Sequence, residues 1–325
     1  VGSRPSWGAM PDDRASSRSP RGAFQRKQTA SAAGEAEGED PSWSGVTWEN
    51  WHTWQDDGYK YDRAWDLDQG NDHDEEQTEV DSVAAPWYID MHDLVLEPSA
   101  LGAHHFTIIV LHSCSGGPDD FLPFFHRLDL PFRGQLRAVV PCSPIRLENH
   151  YGWEKAQNSW FEYDGDSVDG NSVKHLDHLL EQRQRLLCLL ESERRRLPGG
   201  DAGRLLLWGL SQGAGLALDV ALRAPCRVGG VVALRGMALQ DGLAEVVPRA
   251  GSPVEVLAIN GAHDWLCPPA AAKDTYEAVA ALGARIDFVV EPTLGHACAR
   301  GRQKLNAPEL RRVNAFLRKI WEGYE

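Results

Sequence analysis

The segment Leu205–Leu222, LLLWGLSQGAGLALDVAL, decides the fold of this chain. It begins with bulky apolar residues typical of a buried strand and ends with small and apolar residues typical of a helix. Between them lies Gly209-x-Ser211-x-Gly213, the form of a nucleophile elbow, in which a tight turn lifts a serine hydroxyl clear of the sheet. A side chain at either glycine position would collide with the neighbouring strand or helix. The alternative is a purely structural tight turn.

Short apolar runs alternate with helical patterns from about residue 88 onward. Strands are predicted at 94–96, 106–111, 138–140, 205–208, 231–234, 254–259 and 286–290, and helices within 173–190, after Ser211, at 269–281 and at 310–320. Continuous apolar strands joined by crossover helices are typical of parallel sheets covered on both faces. The pattern therefore predicts an α/β fold, a doubly wound, mostly parallel sheet in one domain over residues 88–325.

The preceding residues 1–87 lack sustained apolar periodicity and are predicted to form a disordered leader. Residues 1–34 are rich in Ser and Arg and hold six basic and two acidic residues, with only a weak likeness to a transit peptide. Residues 35–85 are acidic and rich in tryptophan, a composition that could dock into a groove of a protein partner. The alternative is a solvated, weakly structured segment. Because the chain begins with Val1 and not with Met, an incomplete N-terminus is left open as an expectation.

Composition restricts the classes of partner. The net charge of -14 disfavours nucleic acid and anionic lipid surfaces, and no apolar run reaches the roughly eighteen residues of a membrane-spanning helix. Six cysteines occur without a Cys-x-x-Cys pair, which indicates buried free thiols in a reducing compartment. We therefore expect a cytoplasmic protein that binds no nucleic acid and has no integral membrane segment.

A serine hydroxyl needs a base, and the base needs an orienting group. Behind an elbow of this type the order along the chain is serine, acid, histidine. Asp264 follows the apolar strand 254–259, and His296 follows the last strand in Leu294-Gly295-His296. The alternatives are a solvated turn acid or helix cap for Asp264 and a polar surface residue for His296. His263 is the other histidine after Ser211, but it precedes the acid.

An oxyanion hole needs two backbone N–H donors. Gln212 follows the serine at the start of a helix, where N–H groups are free and the helix dipole is positive. The second donor is expected in the loop HSCSGG, residues 112–117, and we assign it to the N–H of Cys114. Cys114 could be mistaken for a nucleophile, but no elbow or paired base supports that role.

Five stretches resemble the acyl-protein thioesterase, carboxylesterase and lysophospholipase family of α/β-hydrolases: IIVLHSCSGG, NSWFEYDG, WGLSQGAG, INGAHDWLCP and TLGH. The resemblance covers residues 90–322. It implies Ser211, Asp264 and His296 as a catalytic triad, and the N–H groups of Cys114 and Gln212 as the oxyanion hole. It also implies that SWFE lies near an acyl-binding groove, so that Trp160 and Phe161 could line an apolar channel. The alternative for both is an ordinary place in the core.

Three departures from the family pattern concern the site. Ser113 and Ser115 stand where the family usually has glycines, and their Cβ atoms could shift or narrow the oxyanion hole. Arg235 stands where the family tends to have serine, and it could meet an anionic substrate group or form a structural salt bridge. Trp265 replaces a proline that is frequent in the acid loop.

The residues together predict a serine hydrolase that cleaves acyl esters or thioesters and requires no metal or organic cofactor. Its substrate would be an acylated protein, a lysophospholipid or another lipid, or a small carboxylester. The alternative of another class is an impaired hydrolase-like protein that binds a partner through residues 35–85. A different reaction on the same fold stays open as well.

Overall fold

The computed structural model describes residues 92–99, 104–121, 125, 127–150, 153–164, 172–241, 243–247, 253–296 and 307–324. The predicted leader, residues 1–87, lies outside the described residues. Its disorder, and the partner site predicted for residues 35–85, therefore stay predictions.

The described residues form the strands β1 Leu94–Leu96, β2 Phe106–Leu111, β3 Leu136–Val140, β4 Ile145–His150, β5 Trp153–Asn158, β6 Leu205–Leu210, β7 Gly230–Leu234, β8 Glu255–His263 and β9 Arg285–Gly295. Seven of these described strands form the central sheet, in the order β1-β3-β2-β6-β7-β8-β9, and the hairpin β4–β5 lies outside it. Only the pairing of β1 with β3 is antiparallel among the pairs of this sheet. The predicted doubly wound, mostly parallel sheet is confirmed.

The strand order reverses between β2 and β6. From β2 the chain continues outward to β3, and from β6 it continues to the opposite side through β7, β8 and β9. In open α/β sheets ligands bind outside the carboxyl ends of the strands at such a switch point. Both the elbow after β6 and the loop after β2 begin at this point.

Helices cover both faces of the sheet. They are α1 Leu176–Arg196, α2 Gln212–Arg223, α3 Pro269–Ala281 and α4 Ala307–Glu322. One apolar core joins α1, α2 and α3 to one set of alternating strand residues. A second core joins α4 to the other set, together with Phe121, Phe125, Leu128, Leu130 and Phe132. Strands buried on both faces explain the continuous apolar runs of the sequence. Among the described helices, none is long and apolar enough to cross a membrane.

The hairpin β4–β5 was not predicted. Its sequence, IRLENH and WEKAQN, mixes charged and apolar residues and carries no continuous apolar run. Its last residue, Asn158, accepts a hydrogen bond of 2.8 Å from Ser115 N–H, so the hairpin supports the loop after β2.

Several boundaries and burials differ from the prediction. Helix α1 begins at Leu176, because Val173 pairs with Tyr163 in an isolated β-bridge. Strands β8 and β9 extend beyond their apolar runs and remain paired up to His263 and Gly295. The described cysteines are free, but Cys188 is exposed, so the prediction of buried thiols holds only for some of them.

Candidate active site

The elbow adopts the strained turn that its glycines predict. Ser211 has φ 53° and ψ -117°, a positive φ that L-residues avoid. A Cβ at Gly209 would collide with the backbone of Gly213, and a Cβ at Gly213 would collide with the carbonyl oxygen of Leu111. The Ser211 N–H donates to Leu234 O at 2.8 Å, which ties the turn to the end of β7. Neither position has room for a side chain, which explains why both residues are glycine.

The structure brings Ser211, His296 and Asp264 into one hydrogen-bonded chain. The Ser211 Oγ lies 2.9 Å from His296 Nε2. On the other side of the ring, Nδ1 lies 3.0 and 2.9 Å from the two carboxylate oxygens of Asp264. Ser211 and His296 are partly exposed, whereas only 3% of Asp264 is exposed. The hydroxyl is thus accessible, and the acid is shielded from water.

Two strands place the acid and the histidine. The pair His263 and Gly295 closes the β8–β9 ladder, so Asp264 and His296 each follow directly after a paired residue. Asp264 Oδ1 also accepts hydrogen bonds from the N–H groups of Leu266, at 3.1 Å, and Cys267, at 2.7 Å. Fixed donors on one carboxylate oxygen hold the acid in a single orientation toward the imidazole.

The loop after β2 packs directly against the elbow. Leu111 pairs with Gly209 at the ends of β2 and β6, and Gly213 touches the backbone of β2 so closely that no Cβ fits. Cys114 lies three residues after Leu111 and is partly buried. Gln157 Nε2 lies 3.2 Å from the Cys114 sulfur. The segment that carries the predicted Cys114 donor is thus fixed to the strand that leads into Ser211.

Ser115 retains the backbone conformation of a glycine. Ser115 stands at one of the family's glycine positions, and its φ is 57°, in the left-handed region that glycine adopts freely. Its N–H donates to Asn158 O at 2.8 Å. The loop therefore keeps its left-handed turn despite the serine.

The side chain of Gln212 has a role that sequence reasoning missed. The residue is 1% exposed and begins α2, so that its N–H lies in the first helical turn. Its amide oxygen accepts from Trp160 N–H at 2.9 Å, and its amide nitrogen donates to Ser159 Oγ at 3.0 Å and to Phe161 O. The glutamine of the elbow and the SWFE segment are thus in direct contact.

The three side chains that were predicted to bind substrate are all buried: Trp160, Phe161 and Arg235. Trp160 and Phe161 are fully buried in the core beside α2. Arg235 is 2% exposed and forms a two-point ion pair with the buried Glu309, with Nε to Oε1 at 2.9 Å and Nη2 to Oε2 at 2.5 Å. These contacts match the alternatives, core positions for the two aromatic residues and a structural salt bridge for Arg235. The substrate-binding role of the three residues stays a prediction.

His112 is another residue that the sequence analysis did not single out. It follows β2 with none of its surface exposed, and both ring nitrogens form hydrogen bonds. Burial lowers the pKa of His112 to about 4. Its signal in the sequence was its place directly after a buried strand, at the start of the loop HSCSGG.

One group of described residues has the composition of a metal site. Potential ligand atoms of Asp264, Cys267 and His296 lie within 4.8 Å of one another. Burial and the neighbouring Asp264 carboxylate raise the pKa of the Cys267 thiol, which keeps it protonated. A thiol is a poor metal ligand compared with a thiolate, so the hydrogen-bonded acid and histidine account for this group better than a cation does.

Sequence comparison identifies relatives along most of the described domain. The model of the phospholipase/carboxylesterase family matches residues 135–319, more than half of the chain. Lysophospholipase-like protein 1 of Mus musculus is 26% identical over 239 residues, which are 72% of this chain and 94% of that protein. A probable carboxylesterase of Oryza sativa subsp. japonica is 25% identical over 175 residues, 54% of this chain and 72% of that protein.

Solved structures support the same fold. Arabidopsis thaliana SOBER1 superposes with a TM-score of 0.58 at 18% identity, covering 67% of this chain and 99% of that chain. Zea mays acyl-protein thioesterase 2 gives a TM-score of 0.55 at 19% identity, covering 70% and 98%. With the family match, the chain belongs to the phospholipase/carboxylesterase family of α/β-hydrolases, which cleave ester bonds.

Proposed function

We propose that this protein is a serine hydrolase that cleaves acyl esters or thioesters through an acyl-enzyme intermediate. The observation that carries the proposal is the chain of contacts from Ser211 Oγ through the His296 ring to the buried Asp264 carboxylate, with each contact between 2.9 and 3.0 Å. These are the hydrogen-bond distances expected between a nucleophile, its base and the group that orients the base.

The first half-reaction transfers the acyl group to the enzyme. Ser211 Oγ attacks the acyl carbonyl carbon while His296 Nε2 takes the hydroxyl proton. The carbonyl π bond opens to a tetrahedral oxyanion, which the N–H groups of Cys114 and Gln212 bind. The bond to the leaving group then breaks, and His296 returns its proton to the departing alcohol or thiol.

The second half-reaction releases the acid. Water attacks the acyl-serine carbonyl while His296 accepts a proton from it, and collapse of the second tetrahedral intermediate restores the Ser211 hydroxyl. Asp264 holds the Nδ1–H tautomer of His296 and stabilises the imidazolium that forms in both steps. The chemistry uses only groups of this chain and water.

The comparisons support an acyl substrate. The family is that of phospholipases and carboxylesterases, one relative is a lysophospholipase-like protein, and one solved structure of the same fold is an acyl-protein thioesterase. We infer an acyl ester or thioester of a protein, a lipid or a small alcohol. A panel of one acyl thioester, one lysolipid and one short aryl ester, ranked by kcat/KM, distinguishes them.

The first experiment is labelling by a fluorophosphonate with mass mapping of the modified peptide. We expect modification at Ser211 in the wild type and none in Ser211→Ala, with kcat reduced about 10⁴-fold or more. Ser192→Ala, on the exposed surface of α1, serves as the matched control and should be labelled like the wild type. A folded wild type that takes no label would overturn the proposal and favour the non-enzymatic, partner-binding alternative.

A further inference from the structure

His112 connects two loops at the carboxyl edge of the sheet. Its Nδ1 lies 2.8 Å from the carbonyl oxygen of Ser113, in the loop after β2. Its Nε2 lies 3.0 Å from the backbone nitrogen of Ser143, in the loop after β3. Because the side chain is fully buried, water cannot replace either partner.

The two partners determine the tautomer of His112. A backbone N–H can only donate, so Nε2 must be the unprotonated nitrogen that accepts from Ser143. The proton therefore resides on Nδ1, which donates to the Ser113 carbonyl. Burial lowers the pKa of His112 to about 4, which keeps this neutral form at neutral pH.

The Ser113 carbonyl and the Cys114 N–H belong to the same peptide group. A trans peptide is planar, and its C=O and N–H point in opposite directions. His112 Nδ1–H, together with Gly116 N–H at 3.1 Å, holds the Ser113 carbonyl in one direction. The direction of the Cys114 N–H, opposite to that carbonyl, is thereby fixed.

We propose that His112 is a positioning residue that orients the Ser113–Cys114 peptide so that the Cys114 N–H serves the oxyanion hole. This inference rests on the proposed function, since it assigns a cause to the geometry of one of the two proposed donors. His112 contacts no reacting atom and acts through the peptide alone.

Trp160 supports His112 from the core. Its indole N–H donates to the His112 carbonyl oxygen at 2.8 Å, and the two rings lie 4.9 Å apart. The backbone N–H of Trp160 donates to the Gln212 side chain at 2.9 Å. One buried tryptophan thus contacts both His112, which holds the Cys114 donor, and Gln212, which carries the other donor. This gives the SWFE segment a role other than lining a substrate channel.

Two substitutions separate the functions of the two ring nitrogens. In His112→Asn the side-chain amide nitrogen reaches the position of Nδ1 and can still donate to Ser113 O. In His112→Gln the longer side chain brings its amide oxygen to the position of Nε2, where it can still accept from Ser143 N–H. Both variants lose one buried hydrogen bond, so both are expected to lose stability.

The test measures kcat, KM and the free energy of unfolding for both variants on a short aryl ester. We expect kcat to fall about 10- to 100-fold in His112→Gln, somewhat less than the loss from deleting an oxyanion donor, with KM nearly unchanged. His112→Asn should keep at least about tenfold more kcat than His112→Gln, even if it is no more stable. His104→Gln, at the opposite end of β2, is the matched control and should keep wild-type kcat.

Equal losses of kcat in the two His112 variants, in proportion to their losses of stability, would overturn the inference and leave His112 a structural residue. A larger loss in His112→Asn than in His112→Gln would overturn it as well. Failure of the proposed function is seen separately, as a folded wild type that takes no fluorophosphonate label or as labelling that survives Ser211→Ala. The two failures therefore have different signatures.

Discussion

The two edges of the central sheet differ in how the chain leaves its strands. At the carboxyl edge, Ser115, Ser211 and Arg235 have positive φ values of 57°, 53° and 49°, and they follow β2, β6 and β7. Among the described residues, no other non-glycine residue has a positive φ. At the amino edge no described non-glycine residue has a positive φ. Buried charges connect β3 to α1 there.

The amino edge is organised around Glu193 of α1. Its carboxylate accepts from Arg137 Nε of β3 at 2.9 Å, and Thr107 Oγ1 of β2 lies 3.5 Å away. Arg137 also pairs with Glu97. Each positive-φ residue at the opposite edge costs roughly 1 to 2 kcal/mol, and such strain persists where the surrounding structure enforces it. Buried ion pairs occur at both edges, since Arg235 pairs with Glu309 at the carboxyl edge. Among the described residues the non-glycine positive-φ positions occur at the carboxyl edge alone, which fits a site there.

The largest effect that separates the edges should come from Asp264→Asn. The backbone N–H groups of Leu266 and Cys267 hold the amide oxygen as their acceptor, so the amide NH2 faces His296 Nδ1. An NH2 group can only donate, which moves the imidazole proton to Nε2 and leaves no base toward Ser211. We expect kcat to fall about 10³- to 10⁴-fold while the fold is retained. Steady-state kinetics on an aryl ester, with circular dichroism as the check of folding, measures this.

Asp274→Asn is the control for that substitution. Asp274 is exposed on α3, a few residues beyond the acid loop, and its replacement should leave kcat unchanged. Near-wild-type turnover by Asp264→Asn would show that the buried carboxylate does not orient the base, and the assignment of the acid would be lost.

The reverse pattern is expected from Glu193→Gln at the amino edge. Removing one member of a buried ion pair leaves Arg137 with less compensation for its burial, which costs about 3 kcal/mol of unfolding free energy. Because the residue lies at the end of the sheet opposite the nucleophile, kcat should be unchanged at temperatures where the variant is folded. Urea unfolding and kinetics on the same preparation test both statements.

Glu191→Gln gives the comparison on the same helix. Glu191 pairs with Arg194 and Arg195 near the surface, with 29% of its side chain exposed, so its loss should cost clearly less stability than the loss of Glu193. If both glutamate variants lost equally little stability, the amino edge would not depend on its buried charges.

The fold, and the meeting of Ser211, Asp264 and His296 in space, could be predicted because they depend on local patterns. Continuous apolar runs define the parallel strands, and the glycines of the elbow are required by backbone contacts within the same segment. Asp264 and His296 follow strands at the edge where the chain order of this fold places them. No longer-range information was needed for these elements.

Side-chain roles that depend on packing could not be predicted. Arg235 pairs with Glu309, 74 residues away along the chain, and nothing near Arg235 signals that partner. Trp160 has the composition of a channel wall, but the same apolar surface suits a core position equally well. The hairpin β4–β5 lacks an apolar run, and His112 acquires its role only from two loops that meet in space.

The stability of the carboxyl edge should depend on pH through His112. The folded-state pKa of about 4 lies below the ordinary value of 6.5, so the unfolded chain binds a proton that the folded chain does not. Stability from this group is therefore full above pH 6.5 and is lost as the pH falls toward 4, by up to about 3 kcal/mol.

Unfolding free energies of the wild type and His112→Asn, measured by urea between pH 7 and pH 4.5, test this dependence. The gap between the two proteins should narrow as the pH falls, because only the wild type has the buried imidazole. Other titrating groups, including the half-buried His104 with its lowered pKa, are present in both proteins and cancel. Parallel curves would mean that the imidazole is charged or solvated in the native state.

The smallest effect concerns the strained loop itself, through Ser115→Gly. Glycine adopts a φ of 57° without steric cost, but it also makes the unfolded chain more flexible, which offsets part of the gain. We expect a net increase in unfolding free energy of up to about 1 kcal/mol, with kcat within about threefold of the wild type. Ser113→Gly, at a position without a positive φ, should instead lose about 0.5 to 1 kcal/mol.

Opposite signs for these two neighbouring substitutions would show that the left-handed turn is imposed on Ser115 by its surroundings, including the hydrogen bond of its N–H to Asn158 O. A loop held in this way keeps the orientation of the Cys114 N–H whichever residue occupies position 115. If Ser115→Gly raised kcat by tenfold or more, the serine would be distorting the oxyanion hole, and the carboxyl edge would carry strain that hinders the reaction.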